Sequence, residues 1–132
     1  MKIKDLSQGA RKVIPLKHCG AVIVAAGTAS RMGGIDKVMA GIKGKPMIVH
    51  TVRAFEGCDA IREIVVVTRQ DLIQEITDLC RGFNKVKAIV TGGNTRPESV
   101  QNGLDALSDN VKLAAVQDGA RPLTSSQVID RT

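Results

Sequence analysis

Polar and apolar positions along the chain fall into two alternating patterns. Four short apolar runs stand out: AVIVAA (21–26), IREIVVV (61–67), VKAIV (86–90) and VKLAAV (111–116). Three are dense in Val and Ile and two hardly alternate, as strands covered on both faces require. Between the runs, apolar residues recur at helical spacing. Ile48, Val52 and Phe55 share one helix face, with Pro46 placed for a first turn. Leu72, Ile76 and Leu79 repeat the spacing, with Gly82 just beyond as a stop. Val100, Leu104 and Leu107 repeat it again, and Thr95 with Glu98 fits a capping box at that helix start. A fourth helix is expected after Thr124, running to the chain end.

The order β-α-β-α-β-α-β-α predicts an α/β fold: a Rossmann-like open parallel sheet with right-handed crossovers and helices on both faces. Ligands of such sheets bind beyond the carboxyl ends of the strands. Three loops with unusual chemistry leave such ends, at 27–37, 91–99 and 117–122.

Composition adds limits. A chain of 132 residues, 43% hydrophobic and 24% charged, reads as one globular domain. The formal charge of +6 is concentrated at the start: residues 1–20 hold five basic groups and one acidic group. We therefore divide the chain into a basic, flexible leader (1–19) and part of one domain (20–132). The leader has no apolar stretch of signal-peptide length, and no segment reaches transmembrane length. With no Trp, no Tyr and two Phe, the chain lacks the aromatic platforms on which nucleic-acid bases stack. Cys19, Cys58 and Cys80 are odd in number and share no metal-ligand spacing, as expected of reduced thiols in a cytoplasmic protein. Neither nucleic acid nor membrane is expected as a partner.

In GTASRMGGIDK (27–37), Gly27 permits a sharp exit from the strand, and Gly33 and Gly34 keep the following segment free of bulk. Arg31 offers a planar fork of donors and Lys37 a mobile point charge. Two cations beside exposed backbone N–H groups suit a phosphate that gains charge during transfer. There is no G-x-x-x-x-G-K-[ST] and no G-x-G-x-x-G, so neither the usual P-loop nor the dinucleotide fingerprint is present. In GGNTRPESV (92–100), Gly92 and Gly93 leave room for a planar base, while Asn94 and Ser99 carry the donors and acceptors of a pyrimidine partner. Helix-entry chemistry explains part of the same loop. In VQDGARP (116–122), Asp118 is a carboxylate at a strand end, suited either to Mg²⁺ or to an ion pair with Arg121.

These three segments together resemble the 2-C-methyl-D-erythritol 4-phosphate cytidylyltransferases of the non-mevalonate isoprenoid pathway. AAGTASRMGGIDK is similar to the A-A-G-x-G-x-R-M…K signature, and the two later segments to G-G-x-x-R-x-x-S-V and V-x-D-x-A-R-P. The resemblance implies a nucleotide-diphospho-sugar transferase fold, CTP and a polyol phosphate as substrates, and Mg²⁺ or another divalent cation. It also implies pyrophosphate release, a homodimer and a cytoplasmic location. It casts Arg31 and Lys37 as the catalytic cations converging on one phosphorus. Ala25, Ala26 and Gly27 become the backbone cradle for the nucleotide. Gly93, Asn94, Arg96 and Ser99 become the nucleotide-binding loop. Asp118 falls near metal and substrate hydroxyls, and Arg121 on the substrate side or in a structural role. Alternatives are a transferase for ribitol 5-phosphate or another sugar or polyol phosphate, and a nucleotide-binding module without catalysis.

The chain departs from the family pattern at four positions: Ala29 for glycine, Asp36 for proline, Asn94 for aspartate and Gly119 for alanine. No catalytic cation is lost, so Ala29 and Asp36 are expected to alter nucleotide affinity more than reaction type. The family's C-terminal half, with its subunit-swapping arm and further substrate groups, has no counterpart here. The expectation is a fragment, itself inactive or very weak.

Overall fold

The structure, a computed structural model, describes residues 19–26, 31–32, 35–36, 41–42, 45–119 and 127–131. A five-stranded sheet forms the body of the fold. Its strands are β1 (Cys19–Ala25), β6 (Ile61–Thr68), β7 (Val86–Thr91), β8 (Leu113–Asp118) and β9 (Gln127–Asp130), in spatial order β7-β6-β1-β8-β9. Between β1 and the first helix lie two short antiparallel pairs. These are β2 (Arg31–Met32) with β3 (Ile35–Asp36), and β4 (Gly41–Ile42) with β5 (Lys45–Pro46). The helices are α1 (Met47–Glu56), α2 (Ile73–Leu79), entered through a 3₁₀ turn at Gln70–Leu72, and α3 (Arg96–Ala106).

β1 sits at the centre because it can be buried on both faces. Ala21, Ile23 and Ala25 pack with Ile48, Val52 and Phe55 of α1 and Ile76 of α2. Val22 and Val24 point the other way, into a cluster with Val65, Val67, Leu107 and Val116, against which Val100 and Leu104 of α3 pack. The even and odd residues of one strand thus feed two separate cores, which explains why its sequence shows no polar alternation.

Crossovers from β1 to β6 to β7 step in one direction, with α1 and α2 on one face. The next crossover returns past β1 to β8, and α3 covers the opposite face. The strand order therefore reverses between β1 and β8, and the crevice at that reversal opens at the carboxyl ends.

Helix α3 lies unusually close to the sheet. A Cβ on Gly103 would fall 2.4 Å from Val22 Cγ1 and 2.9 Å from Val67 Cγ2. Its N-terminus is capped as the sequence predicts, since Thr95 Oγ1 accepts from Glu98 N–H at 3.2 Å. The returning half of the box differs: the Glu98 carboxylate accepts from Asn94 N–H at 2.7 Å, one residue before the cap.

Two expectations are corrected. The segment after Thr124 is not a helix where it is described: Gln127–Asp130 is a strand, antiparallel to β8, with Val116 opposite Gln127 and Leu113 opposite Asp130. The sheet is therefore parallel-dominated but mixed. The edge of β8 offers Val128 and Ile129 a ladder of backbone bonds, and their β-branched or apolar side chains suit it. The Arg131 guanidinium then fastens this edge to the end of α3, donating to the carbonyls of Leu104 (3.2 Å), Ser108 (3.1 Å) and Val111 (2.6 Å). Smaller shifts also occur. Pro46 lies just before α1, Leu107 just after α3, and β8 begins two residues later than the apolar run. The basic leader lies outside the described residues, except for Cys19, which opens β1.

The contact at Gly103 yields a test. Gly103→Ala gains up to about 1 kcal/mol in helix propensity, but overpacking against two valines of the central strands costs roughly 1–3 kcal/mol. The account expects a net loss, read as a lower urea midpoint; a raised midpoint contradicts the close packing of α3.

Candidate functional site

The carboxyl rim of the sheet gathers three segments around the end of β1. Ala25 is the last residue of β1 and 2% exposed, opposite Thr68 of β6. Ala26 follows, half-buried. On one side stands the turn from β7 to α3. Gly92 N–H donates to the Thr68 carbonyl at 3.0 Å, and a Cβ on Gly92 would fall 2.4 Å from Ala26 Cβ and 2.6 Å from Ser99 Oγ. On the other side stands the turn after β8, where Asp118 is in register with Val24. Gly119 N–H continues the pairing to the Val24 carbonyl at 2.9 Å. A Cβ on Gly119 would lie 3.4 Å from Ala25 Cβ. Ala25 and Ala26 are thus the shared wall between the 92–99 turn and the 118–119 turn.

The turn at 92–99 is held by its own side chains. Ser99, 4% exposed, accepts from Gly93 N–H at 3.1 Å. Asn102 Nδ2 donates to the Thr91 carbonyl at 3.1 Å. The N–H groups of Gly93 and Asn94 are therefore taken by Ser99 and Glu98. This changes the reason for the two glycines. The space a Cβ would take is occupied by Ala26, Ser99 and Glu98, so the glycines serve the packing of the turn itself. What remains for a ligand is the set of backbone carbonyls, the Asn94 amide, the Ser99 hydroxyl proton and the exposed Arg96.

On the β8 side, Gln117 is fully buried and donates through Nε2 to the Asp118 carbonyl at 3.0 Å. Thr51 of α1 lies 3.3 Å from the Gly119 carbonyl and 3.3 Å from that of Met47. Thr68 adds a buried hydroxyl at the same rim with no hydrogen-bond partner among the described residues. Such a group costs about 1–3 kcal/mol unless water or a ligand meets it.

Of the residues singled out in the sequence, the structure brings together Ala25, Ala26, Gly93, Asn94, Arg96, Ser99 and Asp118 at one rim. Arg31 is placed only by its backbone, in β2, with Asp36 at the opposing register position of β3. Asp36 is the residue standing in for proline. Gly27, Lys37 and Arg121 lie outside the described residues, as does the proposed meeting of Arg31 and Lys37. Among the described residues no cluster of three His, Cys, Asp or Glu could hold a metal by itself. No described helix is long and apolar enough to cross a membrane.

The cysteines take no part in the rim. Cys19 opens β1 at the opposite, amino end of the sheet. Burial, with the nearby Cys58 thiol adding to it, pushes Cys19 up to about 12. Burial raises Cys80 to about 11. Both remain protonated near neutrality and lack the thiolate needed of a nucleophile.

Sequence reasoning missed Thr51, Gln117, Thr68 and Asn102. Thr51 carried a usable signal: it falls on the helical stripe of Ile48, Val52 and Phe55, where a hydroxyl is out of place unless it is bonded. Gln117 and Thr68 carried none, because a polar residue at a strand end reads as ordinary loop chemistry, and Asn102 reads as a solvent-facing residue of α3.

Comparison with known proteins identifies a family and a shared fold. Residues 19–132 match the family model described as IspD, 2-C-methyl-D-erythritol 4-phosphate cytidylyltransferase. The chain is 43% identical over 106 residues to the enzyme of that name from Dehalococcoides mccartyi, covering 79% of this chain and 46% of the relative. It is 43% identical over 118 residues to that from Clostridium tetani, covering 87% and 47%. Among solved structures, 4-diphosphocytidyl-2C-methyl-D-erythritol synthase from Anaerococcus prevotii superposes with a TM-score of 0.68 at 31% identity, over 80% of this chain and 44% of that one. An inositol-1-phosphate CTP transferase from T. maritima, at 12% identity and a TM-score of 0.62, shares the fold. The chain spans about half the length of the curated relatives it matches.

The 92–99 turn can be probed directly. Ser99→Ala leaves Gly93 N–H without its acceptor, which lowers local stability by roughly 1 kcal/mol. Hydrogen exchange at the Gly93 amide should then quicken several-fold while β6 amides are unchanged. An unaltered Gly93 rate contradicts the assigned bond.

Proposed function

The chain belongs to the 2-C-methyl-D-erythritol 4-phosphate cytidylyltransferase family, and from that membership we propose that its protein transfers a cytidylyl group from CTP to 2-C-methyl-D-erythritol 4-phosphate. The observation that carries the proposal is the gathering of the 92–99 turn and the 118–119 turn around Ala25 and Ala26, at the crevice where the strand order reverses.

In this reading an oxygen of the acceptor's phosphate attacks the α-phosphorus of CTP. A new P–O bond forms, the α–β anhydride bond breaks, and pyrophosphate leaves with the bonding electrons. No covalent enzyme intermediate is needed. Ala25, Ala26 and Gly27 form the close backbone wall for the nucleotide. The 92–99 turn takes the base. Ser99 already accepts from Gly93 N–H, so its own proton is left to donate to a ring acceptor of cytosine, while Asn94 and Arg96 flank the sugar or base edge. Arg31 and Lys37 neutralise charge that grows on the phosphoryl oxygens as the anhydride breaks. Their benefit is larger in the transition state than in the bound substrate. Arg121 and Asp118 receive the polyol phosphate.

A divalent cation fits the single carboxylate of Asp118. Mg²⁺ is commonly held by one or two carboxylates together with substrate phosphates, so no larger cluster is required. When bound, it would offset phosphate charge and orient the triphosphate. The full-length protein is proposed to act as a cytoplasmic homodimer.

Turnover separates the roles. Arg31→Ala in the full-length protein should lower kcat by about 10³-fold or more, with the KM for CTP changed only a few-fold, read by pyrophosphate release. A raised KM at unchanged kcat would make Arg31 a binding residue and remove it from the chemical step.

A further inference from the structure

We propose that Thr51, on the buried face of α1, is a positioning residue that fixes Asp118 for the transfer step. The inference rests on the cytidylyltransferase reading and adds a residue to it. Three backbone groups around Asp118 are each held by a different element. Gln117 Nε2 donates to the Asp118 carbonyl at 3.0 Å. Gly119 N–H donates to the Val24 carbonyl of β1 at 2.9 Å. Thr51 Oγ1 donates to the Gly119 carbonyl at 3.3 Å, across 68 positions of sequence.

A helical threonine commonly bonds the carbonyl four residues earlier, and Met47 O stands at the same 3.3 Å. One proton serves the two acceptors in turn, so the Gly119 carbonyl shares a bond that local helix geometry alone does not call for. Thr51 is only 6% exposed. At such a site an apolar side chain of the same shape would add to the core, and the hydroxyl is useful only through its bonds. The turn is also seated sterically: a Cβ on Gly119 would meet Ile48 Cδ1 at 3.1 Å and Ile23 Cγ2 at 3.3 Å. Ile48 and Thr51, one helical turn apart, therefore present α1 to the turn by contact and by hydrogen bond. Removing the hydroxyl leaves the Gly119 carbonyl without this donor and frees the backbone one residue from Asp118. A displacement of about 1 Å in a reacting or positioning group can cost on the order of 100-fold in rate.

The test is steady-state kinetics of the full-length protein with Thr51→Val, Thr51→Ser and Asp118→Asn, alone and combined. Thr51→Val keeps the shape and removes the hydroxyl; it should lower kcat/KM for the polyol phosphate by about 10-fold or more. The KM for CTP should move by less than about twofold, because the base sits in the 92–99 turn. Thr51→Ser keeps the donor and should restore most of the loss. In the Asp118→Asn background, Thr51→Val should cost nothing further. If the valine variant does not fold, Thr51→Ala replaces it in the same comparison. Equal losses in the serine variant and the hydroxyl-free variant overturn the proposal, as does a full loss persisting beside Asp118→Asn. A native protein that transfers no cytidylyl group overturns the functional reading and this inference with it. An active native protein with no serine rescue overturns the inference alone.

Discussion

The parallel pairing of β1 with a neighbour on each side is the constraint on which the rest depends. With β6 on one edge, β8 on the other and a core on each face, β1 must be apolar on both faces. The chain meets this with small and β-branched residues, Ala21 to Ala25, feeding two cores. The same double pairing forces the crossovers apart, two helices on one face and the third on the other, and so opens the crevice at the ends of β1 and β8. The site is a consequence of how the centre of the sheet is covered, and Ala25 and Ala26 are small because two turns close on them.

Glycine has a structural role at this rim that is easily mistaken for a ligand's requirement. Gly92 gives its space to Ala26 and Ser99, Gly93 to Glu98, and Gly103 to Val22 and Val67. The first two let the turn fold onto its own helix N-terminus, and the third lets that helix lie flat on the sheet. The result is a turn whose backbone is held by its own side chains before any ligand arrives. Such preorganisation is the main protein contribution to phosphoryl-type transfer, in which little covalent chemistry falls to the enzyme. The amino end of the sheet is a chemical contrast, with buried, protonated thiols.

Much of this was legible in the sequence. The four apolar runs and three helical stripes appear as elements at or near their expected bounds, because long buried segments leave strong periodic signals. The Thr95–Glu98 cap was legible for the same reason: its chemistry is local. The final strand was not, since Val128 and Ile129 adopt it through pairing with β8, a partner distant in sequence. Likewise the two short antiparallel pairs between β1 and α1 carry no pattern of their own. In the site, residues at motif spacing were found; Thr51 was not, because its bond reaches Gly119, 68 positions away, and Gln117 was not, because its bond to the neighbouring Asp118 carbonyl leaves no mark in any spacing.

The proposed reaction requires the nucleotide at the carboxyl rim, where the strand order reverses. The most direct measurement is a crystal structure of the full-length protein with CTP and Mg²⁺. Cytosine is expected against Ala26, Ser99 and the Gly93–Asn94 backbone, with the phosphates directed toward the segment after Ala25. CTP at the amino end of the sheet, or in the groove between α2 and β7 lined by Cys80, Phe83 and Ile89, would contradict it.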